Sequence, residues 1–145
     1  MTRLIPALAL LLLTACGPSL HTPGGFARVD GHHDVRIASP EGVAIAVNVH
    51  RNRSPRGDLA FWAGAVSARV RGLYGSVEES AIVSDAGVEG VQLRARTTRN
   101  GRPHQYWTTV FVDGRSVVTV EAGGDDAFFG PQVEAIEEAI RSVEL

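Results

Sequence analysis

The sequence predicts an α+β fold in which two helices pack on a mainly antiparallel sheet of about six strands. Two observations lead to this prediction. Short segments in which apolar and polar residues alternate follow one another and are separated by turn residues, which is the pattern of strands. Two other segments carry apolar residues three or four positions apart, which is the pattern of amphipathic helices. The predicted order of elements is β-β-α-β-β-β-β-α.

The first helix is predicted to follow the first two strands and to precede the third. The strands Asp34–Ala38 and Val43–His50 come first, and a polar loop follows. Asp58 is placed to accept hydrogen bonds from the first turn of a helix over Leu59–Arg71, and Gly72 is expected to end that helix in the left-handed conformation. The apolar stripe expected to face the sheet is Leu59, Trp62, Val66 and Val70.

The strand Ser76–Ser84 is followed by two turn signals, Asn100-Gly101 and Asp113-Gly114. Two-residue loops at these places fix the register, so that Arg94 lies opposite Trp107 and Val110 lies opposite Val117. The three strands of this meander are Val88–Thr98, His104–Val112 and Arg115–Ala122.

Both faces of this meander are apolar, so both need a covering layer. One face carries Val91, Leu93, Val110 and Val117, and the other carries Trp107, Phe111, Val118 and Val120. A second helix, beginning near Pro131 after a Gly123-Gly124 turn, supplies part of that cover. Its apolar stripe is Val133, Ile136, Ile140 and Val143.

Composition restricts the function classes. The chain has 145 residues and a net charge of −2, and all 14 of its basic residues are arginine. This length suits one domain, and the near-neutral charge argues against a nucleic-acid partner. Without lysine, the chain has no residue for Schiff-base or P-loop chemistry.

The N-terminus has the pattern of an export signal. Arg3 precedes the apolar run Leu4–Leu13, which is too short to span a bilayer but suits the core of a signal peptide. Leu13-Thr14-Ala15-Cys16 resembles the bacterial lipobox. The resemblance implies that Cys16 is acylated and that cleavage occurs before it, so that Cys16 anchors the chain to a membrane. Gly17, in place of the Asp typical of inner-membrane retention, implies the outer membrane, at its periplasmic face or at the cell surface.

The expected organisation is therefore a signal peptide over residues 1–15, a Gly- and Pro-rich flexible tether over residues 16–25, and one domain over residues 26–145. The domain resembles the PsbP-like fold, an α/β/α sandwich. The resemblance is carried by four segments: Ser39-Pro40-Glu41-Gly42, Phe61-Trp62, Gly72-Leu73-Tyr74 and Gly87-Val88-Glu89-Gly90. It implies a binding or assembly module and supplies no catalytic residue.

Two groups of residues are candidates for binding. His32, His33 and Asp34 have metal-ligand chemistry, with His21 or His50 as further ligands. Adjacent residues of a strand point to opposite faces, so His32 and His33 would not bind one ion from a strand, although they could from a loop. We expect a solvated loop before the strand and no metal. The second group consists of arginines expected at the first hairpin. These arginines either contact an anionic partner or protect a strand edge that is exposed to solvent. They are Arg94, Arg96, Arg99 and Arg102, with Arg51, Arg53 and Arg56 in a separate loop.

These observations favour a lipid-anchored, non-enzymatic binding or assembly module of the bacterial cell envelope, with an envelope protein as its partner. We expect neither a cofactor nor a catalytic residue. The alternative is a periplasmic protein that binds a small ligand or a metal.

Overall fold

The computed structural model describes residues 17–144, which form a seven-stranded antiparallel sheet with helices on both faces. The strands lie in the order β1-β2-β3-β7-β6-β5-β4. The predicted α+β class is therefore confirmed. The strands are β1 Ala27–Arg28, β2 Val35–Ala38, β3 Ala44–Arg51, β4 Val77–Val83, β5 Glu89–Arg99, β6 Arg102–Asp113 and β7 Ser116–Asp125. The helices are α1 Leu59–Tyr74, α2 Asp126–Phe129 and α3 Val133–Arg141, with a 3₁₀ turn over Gly130–Gln132.

The predicted signal peptide and Cys16 lie outside the described residues. Within residues 17–144, no helix has the length and apolar character needed to cross a membrane.

The hairpin between β5 and β6 has the predicted register. Asn100 and Gly101 form its loop with φ angles of 52° and 76°, which both residues tolerate at low cost. Arg94 lies opposite Trp107, and Val91 lies opposite Val110.

The register predicted for the next hairpin is wrong by two residues. The loop consists of Gly114 and Arg115, because Asp113 pairs with Ser116, and Val110 lies opposite Thr119 and not Val117. Gly114 takes a positive φ of 38° at the first loop position, where a type II′ turn requires glycine. A shift of two residues leaves every side chain on its predicted face.

The face covered by α2 and α3, called the α3 face, holds the larger core. Trp107 and Phe111 from β6 are buried there. The predicted stripe of the second helix is confirmed, since Ile136 and Ile140 are fully buried and Val133 packs at the edge of the cluster. The α3 face also buries Val118 and Val120 from β7 and Val35, Ile37, Ile45 and Val47 from β2 and β3.

The second helix begins earlier than predicted. Gly123 and Gly124 extend β7 and do not form a turn. Asp125 ends the strand, and its carboxylate accepts a hydrogen bond from Ala127 N–H at 3.0 Å, which starts α2. Pro131 lies in the 3₁₀ turn between α2 and α3, where its missing N–H costs nothing.

The opposite face, called the α1 face, has a smaller core around Val70, Leu93 and Ala95. The predicted stripe of α1 lies on the contacting side, but Trp62 and Val66 are only half-buried and Ala63 and Ser67 occupy the centre.

Gly72 does not end α1. The helix continues to Tyr74, whose ring packs against Tyr106 with a centroid distance of 4.8 Å. Gly75 takes the positive φ of 76° instead, and its N–H donates to Arg71 O.

Residues 17–23, part of the predicted tether, lie against the domain. Leu20 is buried in the α3 core, Ser19 forms a bridge with Glu144, and His21 N–H donates to Ser142 Oγ at 2.9 Å. The end of α3 in turn accepts a hydrogen bond from Asp85, in the turn between β4 and β5. The segment from residue 17 to residue 21 therefore lies at the end of the sheet that carries this turn, called the near end. The Asn100-Gly101 turn marks the far end.

Candidate functional site

The α1 face is only partly covered by its helix. α1 packs on β4, β5 and β6, and the side of the face formed by β2, β3 and β7 opens into a groove with a volume of about 520 Å³. Ala44, Ala46 and Gly123 lie in the groove. Residues this small do not fill the space beside α1, which explains why the groove is open. We call it the open groove.

Polar side chains from several elements surround the open groove. Tyr106 Oη donates a hydrogen bond to Glu121 Oε1 at 2.6 Å, and this pair joins β6 to β7. Tyr74 from the end of α1 packs against the Tyr106 ring. The other polar residues that line the groove include His33, Arg36, Thr97, Arg99 and His104. The groove therefore offers hydrogen-bond donors, acceptors and both signs of charge.

Tyr106 is held in its neutral form. Burial, and to a smaller extent the hydrogen bond to Glu121, raise the pKa of its phenol to about 12. The cause is the cost of placing a phenolate in a poorly hydrated position beside a carboxylate. At neutral pH the hydroxyl is therefore a hydrogen-bond donor and does not serve as a base.

The three residues predicted as metal candidates have separate surroundings. His32 is exposed, and His33 reaches the open groove, where its Nδ1 lies 2.9 Å from Asn48 Oδ1. Asp34 Oδ2 accepts a hydrogen bond from Val49 N–H at 2.7 Å, so its carboxylate holds the end of β3. Over residues 17–144, no group of three His, Cys, Asp or Glu side chains is close enough together to hold a metal ion.

The arginines predicted as one contact surface lie on two faces of the sheet. Arg94 and Arg96 line a second cavity, of about 690 Å³, on the α3 face. Arg99 lines the open groove. Arg102, its partner across the hairpin, forms an ion pair with Asp125 at 2.9 Å.

Arg94 is engaged by its neighbours. Its guanidinium carbon lies 3.9 Å from the centre of the Trp107 ring, and its Nη2 lies 2.5 Å from Glu137 Oε1. Trp107 is also buried against Phe129, at a centroid distance of 4.9 Å. The cation–π contact and the burial of Trp107 therefore occur together.

Tyr106 and Glu121 were not predicted as site residues. The available signal was Glu121, a charged residue between the apolar residues Val120 and Ala122. Strand parity places Glu121 and Tyr106 on the same face under either register of the second hairpin. The open groove itself was not predictable from this parity, because it depends on which strands α1 covers.

No protein-family model matches the sequence. Nor does any curated protein show a significant match. Solved structures of other proteins share the architecture, and three of them are compared with this chain. LpqN of Mycobacterium tuberculosis, described as involved in cell envelope biogenesis, aligns with a TM-score of 0.71 and 14% identity, covering 92% of this chain and 88% of LpqN. The cyanobacterial PsbP protein of Synechocystis aligns with a TM-score of 0.63 and 13% identity, covering 89% and 86% of the two chains.

The fold is PsbP-like. A protein from Bacteroides thetaiotaomicron aligns with a TM-score of 0.59 and 13% identity, over 88% of this chain and 44% of its own length. At such identities the likeness concerns the fold alone. The fold implied by the resemblance in the sequence is thus confirmed, and function has to be argued from the surfaces of this chain.

Proposed function

We propose that this chain is a lipid-anchored, non-enzymatic binding module of the bacterial cell envelope that holds its ligand in the open groove. The observation that carries the proposal is the uncovered part of the α1 face, where polar groups converge over small residues. A sheet face with apolar strands is ordinarily covered, so a shaped gap in that cover is typical of a binding surface.

The dimensions and chemistry of the groove support binding of a small polar molecule or a short segment of a partner. Its volume of about 520 Å³ lies within the range of roughly 300–1,000 Å³ found for ligand sites. Arg36 and Arg99 favour an anionic group on the ligand, while Glu121 and His33 favour hydrogen-bond donors. Because Tyr106 remains neutral, its part in this proposal is recognition and not proton transfer.

The location in the envelope is supported by the N-terminus. The sequence ending in Cys16 resembles a lipobox, and the next residues lie fixed at the near end of the sheet. Arg99 and His104 line the groove and lie close to the far end of the sheet, so the groove extends toward that end. A membrane anchor at the near end therefore leaves that part of the groove facing away from the membrane. LpqN, which shares the fold, is described as involved in cell envelope biogenesis.

The alternative function, a periplasmic protein that binds a small ligand, differs chiefly in the nature of the bound molecule. The limited volume of the groove favours a small molecule over a broad protein interface. His33 is the one predicted metal candidate at the groove, and its Nδ1 is engaged with Asn48.

Native mass spectrometry of the full-length protein purified from its own membranes tests the proposal. We expect a bound molecule on the wild-type protein and its loss in Ala44→Phe, which fills the groove. Ala81→Phe, at an exposed position of β4, is the matched control and is expected to retain the adduct. An adduct that persists in Ala44→Phe, or none on the wild-type protein, contradicts the proposed role of the groove.

A further inference from the structure

A third cavity, of about 890 Å³, lies at the near end of the sheet. It is formed by the end of β3, the loop that follows it, and the turn between β6 and β7. Four of the residues that line it are arginines: Arg51, Arg53, Arg56 and Arg115. We call this cavity the arginine cavity.

The topology of the sheet brings these arginines together from distant parts of the sequence. Arg51 is the last residue of β3 and lies opposite Ser116, the first residue of β7. Arg115 directly precedes Ser116 in the turn, and its carbonyl accepts a hydrogen bond from Asn52 N–H at 2.8 Å. The β3–β7 pairing therefore adds Arg115 to the three arginines that are close together in the sequence.

The loop that carries Arg53 and Arg56 is held in place by Asn52. This side chain is only 3% exposed, and its Nδ2 donates to Gly57 O at 2.8 Å and to Gly114 O at 3.2 Å. Its Oδ1 accepts from Gly57 N–H at 3.1 Å and from Trp62 Nε1 at 3.2 Å. Such a network fixes the backbone of the arginine loop before any ligand binds, which lowers the entropic cost of binding.

The arginines of the cavity form no ion pair within the part of the chain that is described. The ion pairs among residues 17–144 involve Arg71, Arg94, Arg102 and Arg141, and none involves the four arginines of the cavity. Two nearby carboxylates are engaged with backbone N–H groups: Asp34 with Val49, and Asp58 with Phe61 at 2.8 Å. Four arginine side chains line one concave surface. Such a group favours a multiply charged oxyanion, which arginine contacts through paired N–H donors.

We propose that the arginine cavity binds the phosphate of an anionic phospholipid headgroup. The source of the phosphate follows from position. Residues 17–21 lie at the near end, so an anchor at Cys16 brings this end of the sheet, and with it the four arginines, toward the bilayer surface. The choice of a lipid over a soluble phosphate rests on the proposed function, since it requires the membrane anchor.

The test uses the full-length protein in micelles of a neutral detergent. Trp62, which contacts Asn52, is a native fluorescent reporter beside the loop. Phosphatidylglycerol added to the micelles should change this fluorescence saturably, whereas phosphatidylcholine should not. Replacing two exposed loop arginines, Arg53→Gln with Arg56→Gln, should weaken the response about tenfold, since each removes charge-assisted hydrogen bonds. The response should also weaken with added salt.

The matched control removes the same charge at exposed positions outside the arginine cavity and the open groove, in Arg28→Gln with Arg69→Gln. This pair should change the affinity by less than about twofold. An equal response to both lipids, an unchanged affinity in the loop variant, or a larger loss in the control variant overturns the proposal. Competition by free glycerol phosphate as strong as that by the lipid overturns the choice of a lipid. The intact mass of the same sample reports acylation, so a failure of the anchor is seen separately.

Discussion

Tyr106 and Glu121 form a diagonal pair across β6 and β7, with Tyr106 Oη 2.6 Å from Glu121 Oε1. Directly opposite Tyr106 is Gly123, and directly opposite Glu121 is Thr108. A Cβ atom at Gly123 would lie 3.7 Å from the Tyr106 ring and 3.2 Å from Gln105 O. The close approach at Gly123 is therefore to the backbone of Gln105, while the ring would meet only ordinary contact. The hydrogen bond to Glu121 holds the ring at the side of the open groove.

The raised pKa of Tyr106 predicts a loss of stability at alkaline pH. A pKa that is about 12 in the folded protein and 10.0 in the unfolded chain means that the unfolded state loses its proton first. The contribution of Tyr106 is therefore complete below pH 10 and is lost as the pH rises toward about 12. Denaturant midpoints across this range, measured together with phenolate absorbance, check this. If Tyr106→Phe loses stability with pH as steeply as the wild-type protein, the assignment to Tyr106 is wrong.

Asn52 should contribute more to stability than an asparagine with one polar contact. Asn52→Ala removes the side-chain bonds that satisfy Gly57 and Trp62, and we expect a loss of about 2–3 kcal/mol in the free energy of unfolding. Asn48→Ala, which removes a half-buried contact with His33, should cost about 1 kcal/mol or less. Equal losses in a denaturant titration would show that the arginine loop does not depend on Asn52.

The two helices predict opposite outcomes for the same kind of substitution. Ile136 in α3 is fully buried, and Ile136→Ala should lower the free energy of unfolding by about 2–5 kcal/mol. Leu73 in α1 is 62% exposed, and Leu73→Ala should change it by less than about 0.5 kcal/mol. Urea unfolding of both variants measures the difference. A Leu73 variant as unstable as the Ile136 variant would mean that the outer side of α1 is covered.

The lipid anchor is tested at Cys16. Cys16→Ala removes the thiol that would carry the acyl chain, so labelling with a fatty-acid analogue should be abolished and the precursor should remain uncleaved. Gel mobility and labelling in cells measure both effects, with the wild-type chain as the control. Normal labelling of the variant would show that the likeness to a lipobox is accidental.

Local signals predicted most of the fold. Asn100-Gly101 predicted the register of the β5–β6 hairpin correctly, because both residues tolerate a positive φ. Asp113-Gly114 led to a predicted register for the second hairpin that is wrong by two residues. The reason is that Gly114 suits the first position of a type II′ turn as well as the second position of a type I′ turn. The faces were nevertheless correct, since side chains alternate with a period of two.

Sites were harder to predict than strands because they depend on contacts between distant residues. Arg51, Arg53 and Arg56 were identified as a group, but the contribution of Arg115 required the pairing of β3 with β7. The extension of α1 past Gly72 depended on the packing of Tyr74 against Tyr106. Neither contact has a signature within a local window of the sequence.

Photo-cross-linking in intact cells tests most directly whether the open groove is a binding site in the envelope. A photoreactive residue at His104, at the groove, should give a discrete adduct, and the same residue at Ser80, at an exposed position of β4, should not. Ala44→Phe combined with the His104 probe should abolish the adduct. Identical products from both positions, or an adduct that survives Ala44→Phe, would contradict a binding function for the groove.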